Sequence, residues 1–313
     1  MANVSQLTIT SKGTGFDSVF SEVHSEDLKL ANPNCFRIFS LDVQNNAFSH
    51  IGLHQFLQKN IGRYVFSRAE IENFKLNDEE EAIGLKAQEL LRTAKNPKDK
   101  GAGGELGEIL LYLFLEQKQN APKLLSKIEL KTSENQYVYG SDGIHLLNCN
   151  DKAGNPICQL ILGESKIIGN LKSAINEAFD SLGREISSTD NELRLIETNI
   201  FKEAFDDATA DYIKELIIPS KRDLSNSIDK AFGIFIGYSL GLNASEYSNS
   251  SYRLAMESKM KKDIQENMPH IASKISEKKL EAYSFYFYVL PFDDALTDRA
   301  AIIKKLKGEE SNG

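Results

Sequence analysis

Residues 140–167 read GSDGIHLLNCNDKAGNPICQLILGESKI. Two β-branched and apolar runs, GIHLLNC and ICQLILGESKI, flank DKAGNP, a hairpin-type turn. Strand residues two apart point to the same side of a sheet. Glu164 and Lys166 therefore leave one face together, where the apolar run that anchors the strand stops. Asp142 opens the other arm of the hairpin, 22 residues earlier, and is expected to meet Glu164 across the pair. Gly140 and Gly143 keep side-chain bulk away from it.

Working outward, GELGEILLYLFLEQ (104–117) precedes the hairpin. Leu106, Ile109, Leu110 and Leu113 recur at helical spacing, while Leu111, Tyr112, Phe114 and Leu115 fill most of the other side. A helix apolar nearly all round is expected to be buried on two faces. LLSKIELK (124–131) reads as a strand. After Gly169, Leu171, Ala174, Ile175, Ala178, Phe179, Leu182 and Ile186 mark an amphipathic helix. The expected order from about 103 to 188 is helix, three strands, helix. A further helix is expected from NELRLIETNIFKEAF to DYIKELI, then a strand at FGIFIGYSL. A lysine-rich helical stretch follows (252–283), broken at Pro269. YSFYFYVLPF reads as a last strand, and DDALTDRAAIIKKLKG as a closing helix with a frayed tail from Glu309. Earlier in the chain, FRIFSL reads as a strand and FSHIGLHQFLQKNI as a helix. Residues 78–94 read as one helix with an acidic first turn and a basic last turn. NPKDKGAGG (96–104) then breaks the pattern. It divides an N-terminal region (1–95), partner-contacting or part of the core, from a domain over 96–313 with a helical insertion. No internal repeat is visible.

E-x-K alone carries little information. It occurs at Glu116, Glu129, Glu164, Glu257 and Glu277. Glu116 ends the buried helix, and Glu257 and Glu277 lie on a solvated helical face. Glu129–Lys131 has no acid at a comparable hairpin position before it. Glu164–Lys166 has Asp142, and a helix carboxylate is available as well. Glu105 and Glu108 are three apart and share a side of the 104–117 helix. Glu108 lies among Leu111, Tyr112 and Leu115, and a carboxylate on a buried side needs a partner such as a metal ion. Glu105 stands nearer the helix start, where it would favour the dipole. Glu108 is preferred, with Glu105 close behind. The competing reading is a strand-end salt bridge between Glu164 and Lys166, with Asp142 a turn residue.

The residue types suit phosphodiester cleavage. Hard carboxylate oxygens hold Mg²⁺, or Mn²⁺, and leave it several waters. Such an ion polarises the phosphate and lowers the pKa of a water. Lys166 would orient that water or neutralise developing charge. Asp142, Glu164 and Lys166, with Glu108, thus resemble the centre of PD-(D/E)xK nucleases. The fold class expected is α/β (α+β): a restriction-endonuclease-like core with a central mixed β-sheet flanked by helices, plus N-terminal and C-terminal additions. His145 shares a face with Gly143 and is expected to be structural, with a phosphate contact as the alternative. Ser165 points away from Glu164 and is expected to be packing.

Composition bounds the rest. The 313 residues suffice for one large domain or two small ones with a sizeable core. No stretch reaches the roughly 18 apolar residues of a membrane span, and the N-terminus lacks the pattern of a secretory signal. Three cysteines without a CxxC pair fit a reducing cytoplasm and argue against a structural zinc. His50 and His54 are expected on a surface or in the core rather than on a metal. The net charge of −8 sits badly with phosphate binding. A local basic groove, or a partner carrying the DNA grip, would override it.

The runs GGELGEILLYLFL, YGSDGIHLL, LILGESKI and LKSAINEAFDSLGREI, over about residues 100–190, resemble the HamA family, the nuclease subunits of Hachiman antiphage defence. That resemblance implies Asp142, Glu164 and Lys166 as catalytic positions, with Glu105 or Glu108 as the helix acid. It also implies a bacterial DNA nuclease working with HamB, a superfamily-2 helicase that senses phage or damaged DNA and restrains or releases the nuclease. The outcome implied is broad DNA degradation and abortive infection. Where the motif often carries Pro before Asp, Ser141 stands here. The chain has no Walker A loop, so the ATPase would be the partner. A non-catalytic interaction subunit and an RNA nuclease are the alternatives, since nothing in the chain reads a 2′-hydroxyl.

Overall fold

The structure is a computed structural model that describes residues 7–93, 104–125, 128, 140–183, 207–208, 210–211, 213 and 228–309. Its strands are β1 (Ser21–Glu26), β2 (Asn34–Ser40), β3 (Val43–Gln44), β4 (Ala47–Phe48), β5 (Gly143–Asn150), β6 (Pro156–Ile167), β7 (Ile228–Ser239) and β8 (Ser284–Phe292). Its helices are α1 (Phe16–Val19), α2 (Ile51–Val65), α3 (Arg68–Leu76), α4 (Ile83–Thr93), α5 (Gly104–Gln119), α6 (171–183), α7 (Asn249–Glu277) and α8 (Ala295–Leu306).

Six strands form one mixed sheet in the order β1-β2-β8-β7-β6-β5, and β3 and β4 form a separate two-stranded ribbon. The expected hairpin is β5–β6, antiparallel, with Gly143 opposite Gly163 and Asn150 opposite Pro156. Its turn closes on Asp151, whose carboxylate accepts the N–H groups of Ala153 (2.9 Å) and Asn155 (2.8 Å). Gly154 takes φ +90° there, a conformation that glycine adopts without steric cost. β6, β7, β8 and β2 run parallel in sequence across the sheet, and β1 returns antiparallel along β2. Two strands from before residue 95 thus lie in the same sheet as the hairpin. The expected division at residues 95/96 falls outside the described residues.

Helices cover both faces of the sheet. Phe114 of α5 packs against Phe235 and Tyr288. Phe179 of α6 packs against Phe285 and Phe287. Tyr288 and Phe287 are adjacent on one strand, so α5 and α6 lie on opposite faces. Every residue of β8 is buried, as a strand between two helical layers requires. α5 is buried from Glu105 to Glu116, in line with its all-round apolar sequence. The α/β (α+β) fold expected from the sequence is the fold observed, a mixed sheet flanked by helices and consistent with a nuclease-like core.

Several local expectations need correction. Pro269 does not break α7, which runs unbroken through it. Proline removes one backbone hydrogen bond, and buried Ile264 and Ile271 hold the helix on either side. Residues 78–94 divide into a 3₁₀ turn (Glu80–Ala82) and α4. The 48–61 helix starts later and runs further, because Phe48 pairs with Val43 in the β3–β4 ribbon. Of the strand expected at 124–131, Leu124 and Leu125 are in no strand and Ile128 has helical backbone, while Lys123, just before that segment, forms an isolated bridge to His145. Residues 126–127 and 129–131, with Glu129 and Lys131, lie outside the described residues, as do Ile186 and 191–205. α8 begins on Asp294, whose carboxylate accepts the N–H groups of Leu296 (3.1 Å) and Thr297 (2.8 Å).

Candidate metal centre

Register places the first two acids. Gly143 opposes Gly163 as the outermost pair of the hairpin, and Asp142 and Glu164 are the next residues outward on its two arms. The Asp142 N–H donates to the Gly163 carbonyl at 2.6 Å, one residue out of that register, so Asp142 and Gly143 both lie against Gly163. Glu164 is 4% exposed and ion-paired with Lys166, two residues on and on the same face. Burial opposes a charged ammonium on Lys166, but Glu164, Asp142 and Glu177 outweigh it and hold the lysine above its ordinary value. The lysine is charged at neutral pH in the midst of three acids.

Ser165 faces the other way and does more than pack. Its N–H (2.8 Å) and its hydroxyl (2.7 Å) both donate to Oδ2 of Asp142 and fix that carboxylate at the margin of the sheet. The α5 side is tight here. A Cβ on Gly107 would lie 2.8 Å from the Ser165 hydroxyl, and one on Gly163 would lie 2.7 Å from a Leu111 methyl. The two glycines let α5 settle onto β6 at the point where the acids gather. Because Gly163 and Ser165 face α5, Glu164 and Lys166 leave the strand on the opposite face.

The helix acids stand on the α5 side. Glu108 is 7% exposed and accepts a hydrogen bond from the Tyr64 hydroxyl at 3.0 Å. Burial first, then the charges of Glu108, Asp142 and Glu105, push the Tyr64 phenol well above its ordinary value. That hydroxyl therefore stays a donor. Glu105, which the sequence ranked close behind Glu108, is held by Lys307 beyond the end of α8 at 2.6 Å, with both side chains mostly buried. Ser165, Tyr64 and Lys307 were not among the residues singled out from sequence as functional. Tyr64 and Lys307 reach the acids from remote elements, and no spacing in the chain announces them.

Asp142 and Glu164 supply the hard oxygen donors that a divalent cation takes, and Glu164 is deeply buried. Among the described residues, no group of three or more His, Cys, Asp or Glu side chains is placed to hold a metal ion, so Asp142, Glu164, Glu108 and Glu105 are not brought together as one ligand set. Mg²⁺ does not need such a set, since it keeps several waters and takes one or two carboxylates together with substrate oxygens. His50 and His54 stay apart from these acids. His50 precedes α2, and His54 is buried in it.

A second polar cluster lies deeper. Glu116, which reads in the sequence as no more than the end of a helix, is fully buried and accepts the N–H groups of Thr10 (2.9 Å), Ser11 and Lys123 (3.1 Å). Burial alone would raise its pKa. His145, Arg68 and those N–H groups reverse the direction and lower it. Lys123 donates to the carbonyls of Arg63 (2.7 Å) and Phe66 (2.7 Å), and Arg68 donates to those of Lys123 (2.7 Å) and Thr8 (3.0 Å). His145 is buried and bonded to the Ala121 carbonyl at 2.7 Å, so its role is structural, as expected. Burial pushes its imidazole down to about 4. The cluster ties residues 8–11 to α5, and a charge inside an apolar helix was its one sequence signal.

No helix among the described residues is long and apolar enough to cross a membrane. No curated protein matches the chain. The model of the HamA family matches residues 17–306, nearly the whole length, from the N-terminal strands to the end of α8. The chain belongs to the HamA family, and so to the proteins of Hachiman defence.

Proposed function

We propose that the chain is a divalent-metal-dependent DNA endonuclease, the effector of an antiphage defence system. In this reading Asp142 and Glu164 hold Mg²⁺ or Mn²⁺, and Lys166 is the catalytic cation. The observation that supports it is the meeting, at the end of the β5–β6 hairpin, of Asp142, held by Ser165, with a buried Glu164 ion-paired to Lys166. A cation bound there would neutralise a phosphate and ease deprotonation of a water. The chain's own groups divide the remaining work. Ser165 holds the Asp142 carboxylate in place. Lys166, charged at neutral pH, offers a donor to the attacking water or to a phosphate oxygen as negative charge develops. Glu108, steadied by Tyr64, lies on the α5 side as a further acid toward Asp142. A HamB-like superfamily-2 helicase would deliver the nuclease to DNA, in keeping with the net charge of −8. Broad DNA degradation and abortive infection would follow.

A second reading, a non-catalytic subunit of a helicase complex, is favoured by one observation. The lysine partners of Glu164 and Glu105 already neutralise two of the acids. One experiment separates the readings. Plasmid DNA and a matched RNA are incubated with wild type and with Glu164→Ala/Lys166→Ala, with and without Mg²⁺, and folding is checked by circular dichroism. Mg²⁺-dependent DNA cleavage by wild type alone is the expected result. A folded double variant that still cuts would overturn the assignment, and wild type inert toward both substrates would favour the second reading.

A further inference from the structure

α2 reaches the candidate centre through Tyr64, whose hydroxyl donates to Glu108. Immediately before it, the same helix presents Lys59 and Arg63, four apart and therefore on one face. They line a groove of about 130 Å³ together with Lys12, Gln58, Glu80 and the open backbone at Gly84. Lys12 is held firmly to this wall. Its N–H donates to the side chain of fully buried Asn60 at 2.7 Å, and the Asn60 amide donates back to the Lys12 carbonyl at 3.2 Å. The groove is thus shaped by the fold rather than by loose surface chains.

Its charge is unbalanced. Among the described residues, Lys75, Lys86, Lys118, Lys152 and Lys278 each sit on a carboxylate. Lys12, Lys59 and Arg63 form no ion pair among those residues, and Glu80 is the sole acid among the groove's lining residues. Like charges at i and i+4 disfavour a helix. In an acidic chain, three cations left facing one groove point to an external anion that relieves their repulsion.

Resting on the nuclease reading above, we propose that this groove seats the phosphodiester backbone of the DNA substrate. The contact is to phosphates and carries no sequence information.

The test measures binding without cleavage. A short fluorescein-labelled DNA duplex is titrated in EDTA with the full chain, over a range of salt, and followed by anisotropy. Removing one cation from a phosphate lowers the slope of log K against log salt by about 0.9. Lys12→Gln/Lys59→Gln/Arg63→Gln should therefore lower it by about 2.7 and weaken binding at low salt. Lys29→Gln/Lys261→Gln/Lys279→Gln removes the same charge elsewhere and should leave the slope near that of wild type. An unchanged slope in the groove variant, an equal fall in the control, or no salt-dependent binding by wild type would overturn the proposal. So would a groove variant that loses only its competition by inorganic phosphate or a mononucleotide while duplex binding stays constant. If the groove variant is weakened only through misfolding, its unfolding curve will differ from wild type, and Lys59→Gln alone, with an expected fall of about 0.9, then decides. The two readings fail separately. A wild type that binds but never cleaves defeats the nuclease, and a wild type that cleaves but binds equally well without the three cations defeats the groove.

Discussion

Lys166→Met should destabilise the metal-free protein by an amount that depends on pH in a calculable way. Glu164 is 4% exposed, and Lys166 is its ion-pair partner. Removing one partner of a buried pair typically costs about 3–5 kcal/mol. A carboxyl can escape that cost by taking up a proton. From a reference value near 4.3, this caps the cost at about 3.7 kcal/mol at pH 7 and about 1 kcal/mol at pH 5. The lysine side chain is 25% exposed, so water screens part of the effect. We expect about 2 kcal/mol at pH 7 and at most about 1 kcal/mol at pH 5. The sign is fixed by the wild type. Lys166 is raised above its ordinary value, so its contribution is complete below that value and is lost only as the pH climbs through the raised one. The wild-type pair is therefore intact across pH 5–7, and the pH dependence of the difference belongs to the variant's carboxyl. Urea unfolding in EDTA at both pH values measures it. Millimolar Mg²⁺ should then restore stability to the variant by mass action, about 2.7 kcal/mol at a hundred times Kd. A difference that does not change between pH 7 and pH 5, or one below about 0.5 kcal/mol at both, would refute the reasoning, because the pair would then be solvated rather than buried.

Two further predictions concern the deep cluster. Glu116→Ala strands the buried N–H groups of Ser11 and Lys123 and removes the counter-charge near Arg68, so unfolding should show a loss of about 3–5 kcal/mol, with earlier proteolysis around residues 8–12. His145 binds fewer protons folded than unfolded between its folded value of about 4 and the ordinary value near 6.5. Its contribution to stability is present above 6.5 and is lost as the pH falls toward 4, on the order of 3 kcal/mol in all. His145→Gln should flatten the stability profile in that window, and a slope identical to wild type would show that His145 is not the group responsible.

The local pieces of the fold are legible in the amino-acid order alone. Apolar runs on either side of a turn sequence marked the hairpin and its turn at Asp151–Pro156, and the end of one run put Glu164 and Lys166 together on one face. All-round apolarity announced that α5 is buried, and helical spacing traced the buried stripe of α6. These are properties of neighbours in the chain, where a period of 2 or 3.6 carries the information. What the tertiary structure decided are the contacts between distant segments. The order of the sheet, with β2 from the N-terminal region beside β8 near the C-terminus, follows from packing and leaves no periodic trace. The continuity of α7 through Pro269 was settled by burial on either side of it, against the local preference of proline. Glu105 and Glu108 looked alike in sequence because they share a helix side. Tertiary packing separated them by bringing Lys307 to one and Tyr64 to the other. Asp142 likewise looked like a turn residue or a metal ligand, and Ser165 like packing. The strand register brought the Ser165 N–H and hydroxyl onto the Asp142 carboxylate, and two glycines made room for α5 above them.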